Sequence, residues 1–329
     1  MVTPISEPVL EVKGLHTQFK LKDGIVRAVN GVSFTLRKGG LLGLVGESGS
    51  GKTMTAYSIM GLVPYPGKVM HGQVLFHGKD LLTCSREEMR LIRGKSISMV
   101  FQDPANSLNP VLPIGVQVEE LVLNHMPVSK KEAKRLAIDV LRRVALPNPE
   151  RLLDDYAFNL SGGMAQRVMM AIALALDPEV LIADEPTSSL DVTLQAEMLD
   201  LIRRLKEEKG AAILLITHNL GVIAGMAEQV AVMYAGHIVE VADTRTIFQR
   251  PAHPYTWGLL QAIPRLDQPT RRLQPLRGTP PDLLNLPARC PFLERCPKAR
   301  NECRQGPMPA MTELEPGHFV ACYNTIRYD

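Results

Sequence analysis

Apolar and polar positions divide the chain into strands and helices that alternate along most of its length. Residues 9–40 alternate with a period of two, which predicts a small antiparallel sheet at the start of the chain, with turns near Gly24 and Gly31. Later apolar runs are short and nearly continuous, as is typical of strands buried on both faces. These runs are residues 41–45, 97–101, 180–183 and 211–216. Helical spacing separates them, so the pattern predicts an α/β fold.

A helical insert interrupts the succession of strands. Residues 114–158 carry apolar residues at helical spacing, and Ser129 with Glu132 has the form of a helix start. Pro147 marks the end of the second helix in this segment. We place the helical subdomain at about residues 103–175.

A glycine-rich loop follows the first buried run and precedes a helical segment. Its spacing is G-x-x-x-x-G-K-[ST], in the strand–loop–helix setting that this motif requires. Glycines let backbone N–H groups surround a phosphate, and the helix adds a partial positive charge. Lys52 is expected to reach the β- and γ-phosphates, and the Thr53 hydroxyl to bind Mg²⁺. The alternative is a turn without a ligand. The predicted phosphate loop comprises Gly46, Glu47, Ser48, Gly49, Ser50, Gly51, Lys52 and Thr53.

Polar side chains stand at the ends of the later apolar runs, where ligands bind in open parallel sheets. Asp184 is expected to hold Mg²⁺, directly or through water, and Glu185 to act as the general base. Gln102 is placed to contact the metal or a water, and His218 to contact the γ-phosphate. The alternatives are two solvated acids and a structural histidine.

Two further features are candidates for contact with a nucleotide. Ser161, Gly162 and Gly163 begin a helix with bare N–H groups, so Ser161 either caps that helix or contacts a phosphate. Phe19 is either a stacking platform for a purine ring or a half-buried aromatic of its strand.

Composition narrows the classes of function. The 329 residues include 45% hydrophobic residues and carry a net charge of +3, too small to argue for nucleic acid. No run approaches the roughly 18 apolar residues of a transmembrane helix, and no signal peptide is visible. We therefore expect the protein to stay where it is made and to meet a membrane only through other proteins.

The composition shifts near residue 265, where prolines become frequent. We place a domain boundary there, between a nucleotide-binding domain at 1–265 and a C-terminal extension at 266–329. Four of the five cysteines lie in this extension, with the spacing Cys290-x5-Cys296-x6-Cys303-x18-Cys322. The fifth, Cys84, stands alone.

Four thiolates can hold Zn²⁺ or an iron–sulfur cluster. The tight C-x2–4-C knuckle of zinc sites is absent, and the wide spacing, with a proline after Cys290 and Cys296, suits a cubane cluster better. Zinc, and free thiols or disulfides, remain the alternatives. A cluster would hold together a segment that has too few apolar residues to fold alone.

The ordered set of motifs resembles the ATP-binding subunit of ABC transporters over residues 9 to about 245. Met164 stands where the family signature usually has glutamine. The matching residues are Gly46 to Thr53, Gln102, Leu160 to Gln166, Leu181 to Pro186, Ser188 to Asp191 and His218. The resemblance implies a P-loop ABC-type domain with a mixed-sheet core, an antiparallel β subdomain and the helical insert, followed here by an irregular, cysteine-rich extension. It also implies two ATP molecules with Mg²⁺ held between two such domains.

Further segments resemble the oligopeptide/dipeptide importer branch, and in particular its D-type ATPase subunit. They are residues 101–110, 233–236, 253–260, 278–281 and the cysteine segment. This resemblance implies a [4Fe–4S] cluster and a location at the cytoplasmic face of a bacterial inner membrane. The implied partners are a paralogous ATPase, two transmembrane permease subunits and an extracytoplasmic peptide-binding protein. The alternatives are an importer of another small solute such as nickel, and a soluble ABC ATPase outside a transporter.

Overall fold

A computed structural model describes residues 7–188, 190–262 and 276–328. The predicted domain boundary near residue 265 and Ser189 lie outside the described residues. The strands are β1 (Pro8–Leu21), β2 (Gly24–Arg37), β3 (Leu41–Val45), β4 (Gly67–Phe76), β5 (Lys79–Asp80), β6 (Ile97–Val100), β7 (Val180–Asp184), β8 (Ala212–Ile216), β9 (Gln229–Tyr234), β10 (His237–Asp243), β11 (Thr312–Glu315) and β12 (His318–Val320). The helices are α1 (Lys52–Met60), α2 (Arg86–Ile92), α3 (Pro104–Ser107), α4 (Ile114–His125), α5 (Lys130–Arg143), α6 (Pro149–Leu152), α7 (Gly162–Leu174), α8 (Val192–Lys209), α9 (Leu220–Met226), α10 (Thr244–Gln249), α11 (Pro254–Gln261) and α12 (Asn301–Gln305).

The chain forms two compact units, each built from several separate segments. Unit 1 contains Met1–Val9, Leu36–Gly40 and Thr83–Leu215. Unit 2 contains Leu10–Thr35, Leu41–Leu82 and Ile216–Asp329. The phosphate-loop segment therefore belongs to unit 2, and the helical insert belongs to unit 1.

An antiparallel sheet at the start of unit 2 has the strand order β2-β1-β4-β5. Leu10, Val12 and Leu15 are buried, as the period-two pattern predicts, with a register shift after Lys13. The predicted turn at Gly31 is wrong, because this glycine lies inside β2, with a φ of 73°. Glycine adopts this left-handed conformation without steric cost, so the strand continues through the position.

The second sheet in unit 2 has the strand order β11-β12-β10-β9-β3. Strands β3 and β9 are parallel, whereas β9, β10, β12 and β11 are joined by antiparallel pairings, so the sheet is mixed. Strands β11 and β12 come from the C-terminal extension. The extension is therefore not irregular throughout, since two of its segments add strands beside β10.

In unit 1, strands run in the order β8-β7-β6, and β6 and β7 are parallel and fully buried. The helical insert begins as the sequence predicts: Ser129 Oγ accepts the backbone N–H of Glu132 at 3.2 Å and caps α5. Ala133, Ala137 and Leu141 form the buried face of that helix. Among the described residues, no helix combines the length and the apolar character needed to cross a bilayer.

A buried carboxylate holds three segments of unit 2 together. Glu240 on β10 is fully buried and accepts hydrogen bonds from the backbone N–H groups of Ala252 at 2.6 Å and His253 at 2.9 Å. Its Oε1 lies 2.8 Å from Nε2 of His318 on β12. His253 in turn caps α11, because its Nδ1 accepts the N–H of Tyr255 at 3.0 Å. Burial lowers the pKa of His253 to about 4.

Replacing His253 with asparagine should reduce the acid sensitivity of folding. The ring has a pKa of 6.5 when exposed and about 4 in the fold, so unfolding takes up a proton between these values. The contribution of His253 to the free energy of unfolding is constant above about pH 6.5. It decreases towards pH 4, by up to about 3 kcal/mol. Asparagine can still cap α11. Denaturant unfolding at pH 7 and pH 4.5 should show a smaller loss of stability in the variant; an equal loss would contradict this assignment.

Candidate functional site

The predicted phosphate loop joins β3 to α1 in unit 2. Lys52 Nζ donates to the carbonyl oxygens of Gly46 and Glu47, both at 2.9 Å, so the ammonium lies against the loop backbone. A Cβ at Gly51, whose φ is 104°, would lie 2.2 Å from the carbonyl oxygen of Ala28. The loop thus depends on glycine at this close approach, and Lys52 folds back onto the loop; phosphate binding by Lys52 stays a prediction.

The hairpin turn between β9 and β10 supports the loop from the side. The N–H of Gly236 donates to the carbonyl oxygen of Ser50 at 2.9 Å, and the N–H of Asn30 donates to Gly236 at 2.8 Å. The turn therefore links the phosphate loop to β2. A Cβ at Gly46 would lie 2.1 Å from the carbonyl oxygen of Met233, so the loop also packs directly on β9.

Phe19 lies on β1, half-buried, with its ring against Gly67 of β4, where an added Cβ would lie 2.6 Å from the ring. On the same strand, Thr17 Oγ1 hydrogen-bonds Ser58 Oγ on α1 at 2.6 Å. The strand that carries Phe19 is thus joined to the helix that follows the phosphate loop. A stacking role for Phe19 stays a prediction.

His218 follows β8 and is exposed. The preceding residue, Thr217, donates its N–H to the carbonyl oxygen of Leu44 at 3.4 Å, on the strand that leads into the phosphate loop. Unit 2 therefore brings together the phosphate loop, the strand of Phe19 and the strand end of His218.

The acidic candidates lie in unit 1. Val100 pairs with Ala183 across the parallel strands β6 and β7, so Gln102 and the two acids after Ala183 emerge at the same edge. Asp184 ends β7 and is 1% exposed, whereas Gln102 is exposed. Glu185 is 7% exposed and has a φ of 48°. A left-handed backbone at a residue other than glycine costs about 1–3 kcal/mol and is concentrated at functional sites.

The second glycine loop begins α7, also in unit 1. Ser161 Oγ accepts the N–H of Met164 at 3.3 Å and so caps the helix, and both Ser161 and Gly162 are exposed. Contact of this loop with a phosphate stays a prediction. A Cβ at Gly163 would lie 3.0 Å from Leu194 of α8, which explains the small residue.

Gln166 is a positioning residue that the sequence analysis missed. It is fully buried on α7, and its Nε2 donates to the carbonyl oxygen of Pro186 at 2.8 Å. This bond ties the helix of the second glycine loop to the turn that follows Glu185. The sequence analysis named Gln166 only within the family motif, because this contact depends on a partner 20 residues away.

The four cysteines of the extension line one cavity in unit 2, together with His253 and Phe292. Burial raises the pKa of the Cys290 thiol to about 11 and that of Cys322 to about 12. In the described ranges, however, no group of three or more His, Cys, Asp or Glu side chains is arranged to hold a metal ion. Among the described residues, therefore, the thiols share a cavity but do not form a metal site.

Comparison with known proteins places this geometry in a family. A model of the ABC transporter family matches residues 29–188, and a model of the oligopeptide/dipeptide transporter C-terminal region matches residues 239–303. The dipeptide transport ATP-binding protein DppD of Bacillus subtilis is 48% identical over 318 residues, which cover 96% of this chain and 95% of the relative. The chain belongs to the ABC transporter ATP-binding subunits.

Further relatives agree with this family. The oligopeptide transport ATP-binding protein OppD of Salmonella typhimurium is 44% identical over 318 residues, 97% of this chain and 94% of the relative. A solved ATP-binding cassette, dimeric in a post-hydrolysis state with ADP and phosphate, superposes with a TM-score of 0.66. It is 27% identical and covers 72% of this chain and 99% of its own. The predicted ABC-type α/β fold is confirmed, and this ABC subunit is an ATPase.

Proposed function

We propose that this ABC ATPase supplies the energy for import of oligopeptides or dipeptides through partner membrane subunits. The observation that carries the proposal is the match of residues 239–303 to a C-terminal region named for oligopeptide/dipeptide transporters. Relatives named for dipeptide and oligopeptide transport match nearly the whole chain, which supports the same cargo. No observation on the molecule favours nickel as a cargo or a role outside a transporter.

The proposed roles are those that the sequence motifs assign. Gly46, Glu47, Ser48, Gly49, Ser50, Gly51 and Lys52 form the cradle for the phosphates, and Phe19 stacks on the adenine. Thr53 and Gln102 bind Mg²⁺, which Asp184 supports. Glu185 orients the attacking water and accepts its proton, and His218 contacts the γ-phosphate. The loop of Ser161, Gly162 and Gly163 contacts the ATP that is bound to the phosphate loop of the opposite subunit.

Two subunits are needed because each loop can hold only one side of a triphosphate. The phosphate loop and the Ser161 loop each offer N–H groups at a helix start, and a dimer would bring a loop of each kind to each ATP. Binding then closes the pair, and loss of the γ-phosphate opens it, which is a population shift between two states. The dimeric solved relative supports this arrangement.

The proposed assembly places the subunit at the cytoplasmic face of a bacterial inner membrane. Its partners would be a paralogous ATPase, two transmembrane permease subunits and an extracytoplasmic peptide-binding protein. The helical insert, at about residues 103–175, contains α3 to α7 and would transmit the closure to the permease subunits.

We place the division between the ATPase domain, 1–265, and the extension, 266–329, because all four clustered cysteines lie beyond it.

Replacing Glu185 with glutamine should leave ATP binding intact and abolish turnover. The amide keeps the shape of the side chain but cannot accept a proton, so phosphate release should decrease by about 10²–10⁴-fold. ATP binding and phosphate release are measured on the same preparation. Glu150→Gln, which removes an exposed ion pair between Glu150 of α6 and Arg142 of α5, is the matched control. Undiminished phosphate release by Glu185→Gln would refute the role.

The extension is proposed to hold a [4Fe–4S] cluster, and its residues fit such a group. Four thiols line one cavity, and four cysteine thiolates are the usual ligands of such a cluster. His253 lines the same cavity, and its buried Nε2 has no hydrogen-bond partner within the described part of the chain. A bound cluster would supply bonds between chain segments. Because burial raises the pKa of Cys290 and Cys322, the thiols stay protonated without metal and would release protons on binding.

Anaerobic purification of the full chain should give brown protein with about four iron and four sulfide ions per chain. Cys303→Ser should lose most of this iron, because a four-cysteine site loses one of its ligands. Cys84→Ser is the matched control and should retain it, since Cys84 lies outside the cavity. Zinc in place of iron would select the zinc alternative, and colourless, metal-free protein would reject a metal site.

Purification of the tagged chain from native membranes tests the transporter assignment. We expect two integral membrane permease subunits and a second ATPase to copurify, together with a peptide-binding protein. Uptake of labelled dipeptides and oligopeptides by cells that carry Glu185→Gln should fall with the ATPase activity. Recovery with ribosomes or DNA, and unchanged peptide uptake, would contradict the proposal.

A further inference from the structure

A bidentate ion pair ties the phosphate loop to the C-terminal extension. Arg295 donates to both carboxylate oxygens of Glu47, from Nη1 to Oε2 at 2.6 Å and from Nη2 to Oε1 at 2.9 Å. The arginine side chain is 5% exposed and that of the glutamate 25%. A planar, two-point pair that is largely shielded from water fixes the orientation of the carboxylate, unlike a mobile surface pair.

Other donors of Arg295 are also engaged, which anchors it firmly. Nη1 also donates to Tyr234 Oη at 3.1 Å, and Nε donates to the carbonyl oxygen of Arg277 at 3.0 Å. The guanidinium carbon lies 5.7 Å from the ring centre of Tyr234 and 5.8 Å from that of Phe292. Hydrogen bonding to Glu47 raises the pKa of Arg295 above its ordinary value, so its charge is permanent.

The backbone of Glu47 is held as well as its side chain. Its N–H donates to Tyr255 Oη at 2.8 Å. Tyr255 is fully buried, and its ring lies 4.5 Å from that of Tyr234 and 5.4 Å from that of Phe292. Burial raises the pKa of this hydroxyl, so it stays neutral. The two contacts come from α11 and from the extension, and together they fix the second residue of the loop.

The negative charge of Glu47 explains why its side chain needs a cationic partner. A carboxylate in a loop that binds a triphosphate repels the ligand unless a cation neutralises it. Arg295 supplies that cation and holds the carboxylate in one place. Without the arginine, a partly buried negative charge would remain beside the phosphates, and the loop would lose its side-chain anchor.

We propose that Arg295 is a positioning residue of the ATP site. Acting through Glu47, it holds the phosphate loop in its binding shape, which makes the C-terminal extension a structural part of that site. Pro280, Pro281 and Leu283 support this assignment, because they line a small cavity together with residues 47–50. The inference rests on the proposed binding of ATP at the phosphate loop.

The test compares ATP binding by full-length variants. Arg295→Gln should raise the dissociation constant for ATP by about tenfold, because truncating one partner of a buried pair leaves the other charge exposed to the ligand. In the purified transporter the KM for ATP should rise in parallel, while kcat stays within about twofold. Arg295→Lys should be intermediate, since an ammonium cannot bond both oxygens and Tyr234 in the same geometry. Arg289→Gln, which removes an exposed pair with Glu294 at 3.5 Å in the same segment, should bind ATP like the wild type.

A double variant separates positioning from general stability. Glu47→Gln combined with Arg295→Gln should regain most of the ATP affinity, because no unpaired charge remains. Unchanged ATP affinity in Arg295→Gln overturns the proposal, even if its melting temperature falls. If that variant does not fold, unchanged affinity in Arg295→Lys overturns it instead. A wild-type chain that fails to bind ATP would overturn the proposed function itself.

Discussion

A loop that binds phosphate through its own backbone cannot also supply the contacts that keep it in shape. Its N–H groups must point at the ligand, so the loop has to be held by groups outside it. In this ABC ATPase those groups are the turn at Gly236, the carbonyl oxygens of Met233 and Ala28, and the pair of contacts to Glu47 from Arg295 and Tyr255. The close backbone approaches require glycine, and the charged contact requires arginine.

The same logic applies to the polar groups buried elsewhere. Glu240 on β10 is hydrogen-bonded both to the segment before α11 and to strand β12. Gln166 connects α7 to the turn after Glu185. Each group is buried and would be costly without its partners, so each one specifies a single arrangement of the segments around it. Within each unit, a few buried, hydrogen-bonded side chains therefore help to position elements that are far apart in sequence.

The elements proposed to carry the chemistry were predictable because their signals are local. The phosphate loop, the acids that end β7 and the Ser129 cap depend on residues within one strand, turn or helix. The missed features depend on distant partners. Arg295 pairs with Glu47, 248 positions away, and the residues next to Arg295 in sequence do not predict this pair. Strand β12 has three residues, too few for a period, and becomes a strand only by pairing with β10. The turn expected at Gly31 failed because a glycine signals an unusual backbone, which a strand can also accommodate.

The separation between Glu47 and Arg295 also has a consequence for biosynthesis. A ribosome releases the chain from its N-terminus, so β3, the phosphate loop and α1 emerge long before the arginine that steadies them. Until Arg295 has been made, the newly formed loop carries an unneutralised glutamate. A nascent or prematurely terminated copy would therefore hold nucleotide poorly, and only a finished subunit would be ready to load it.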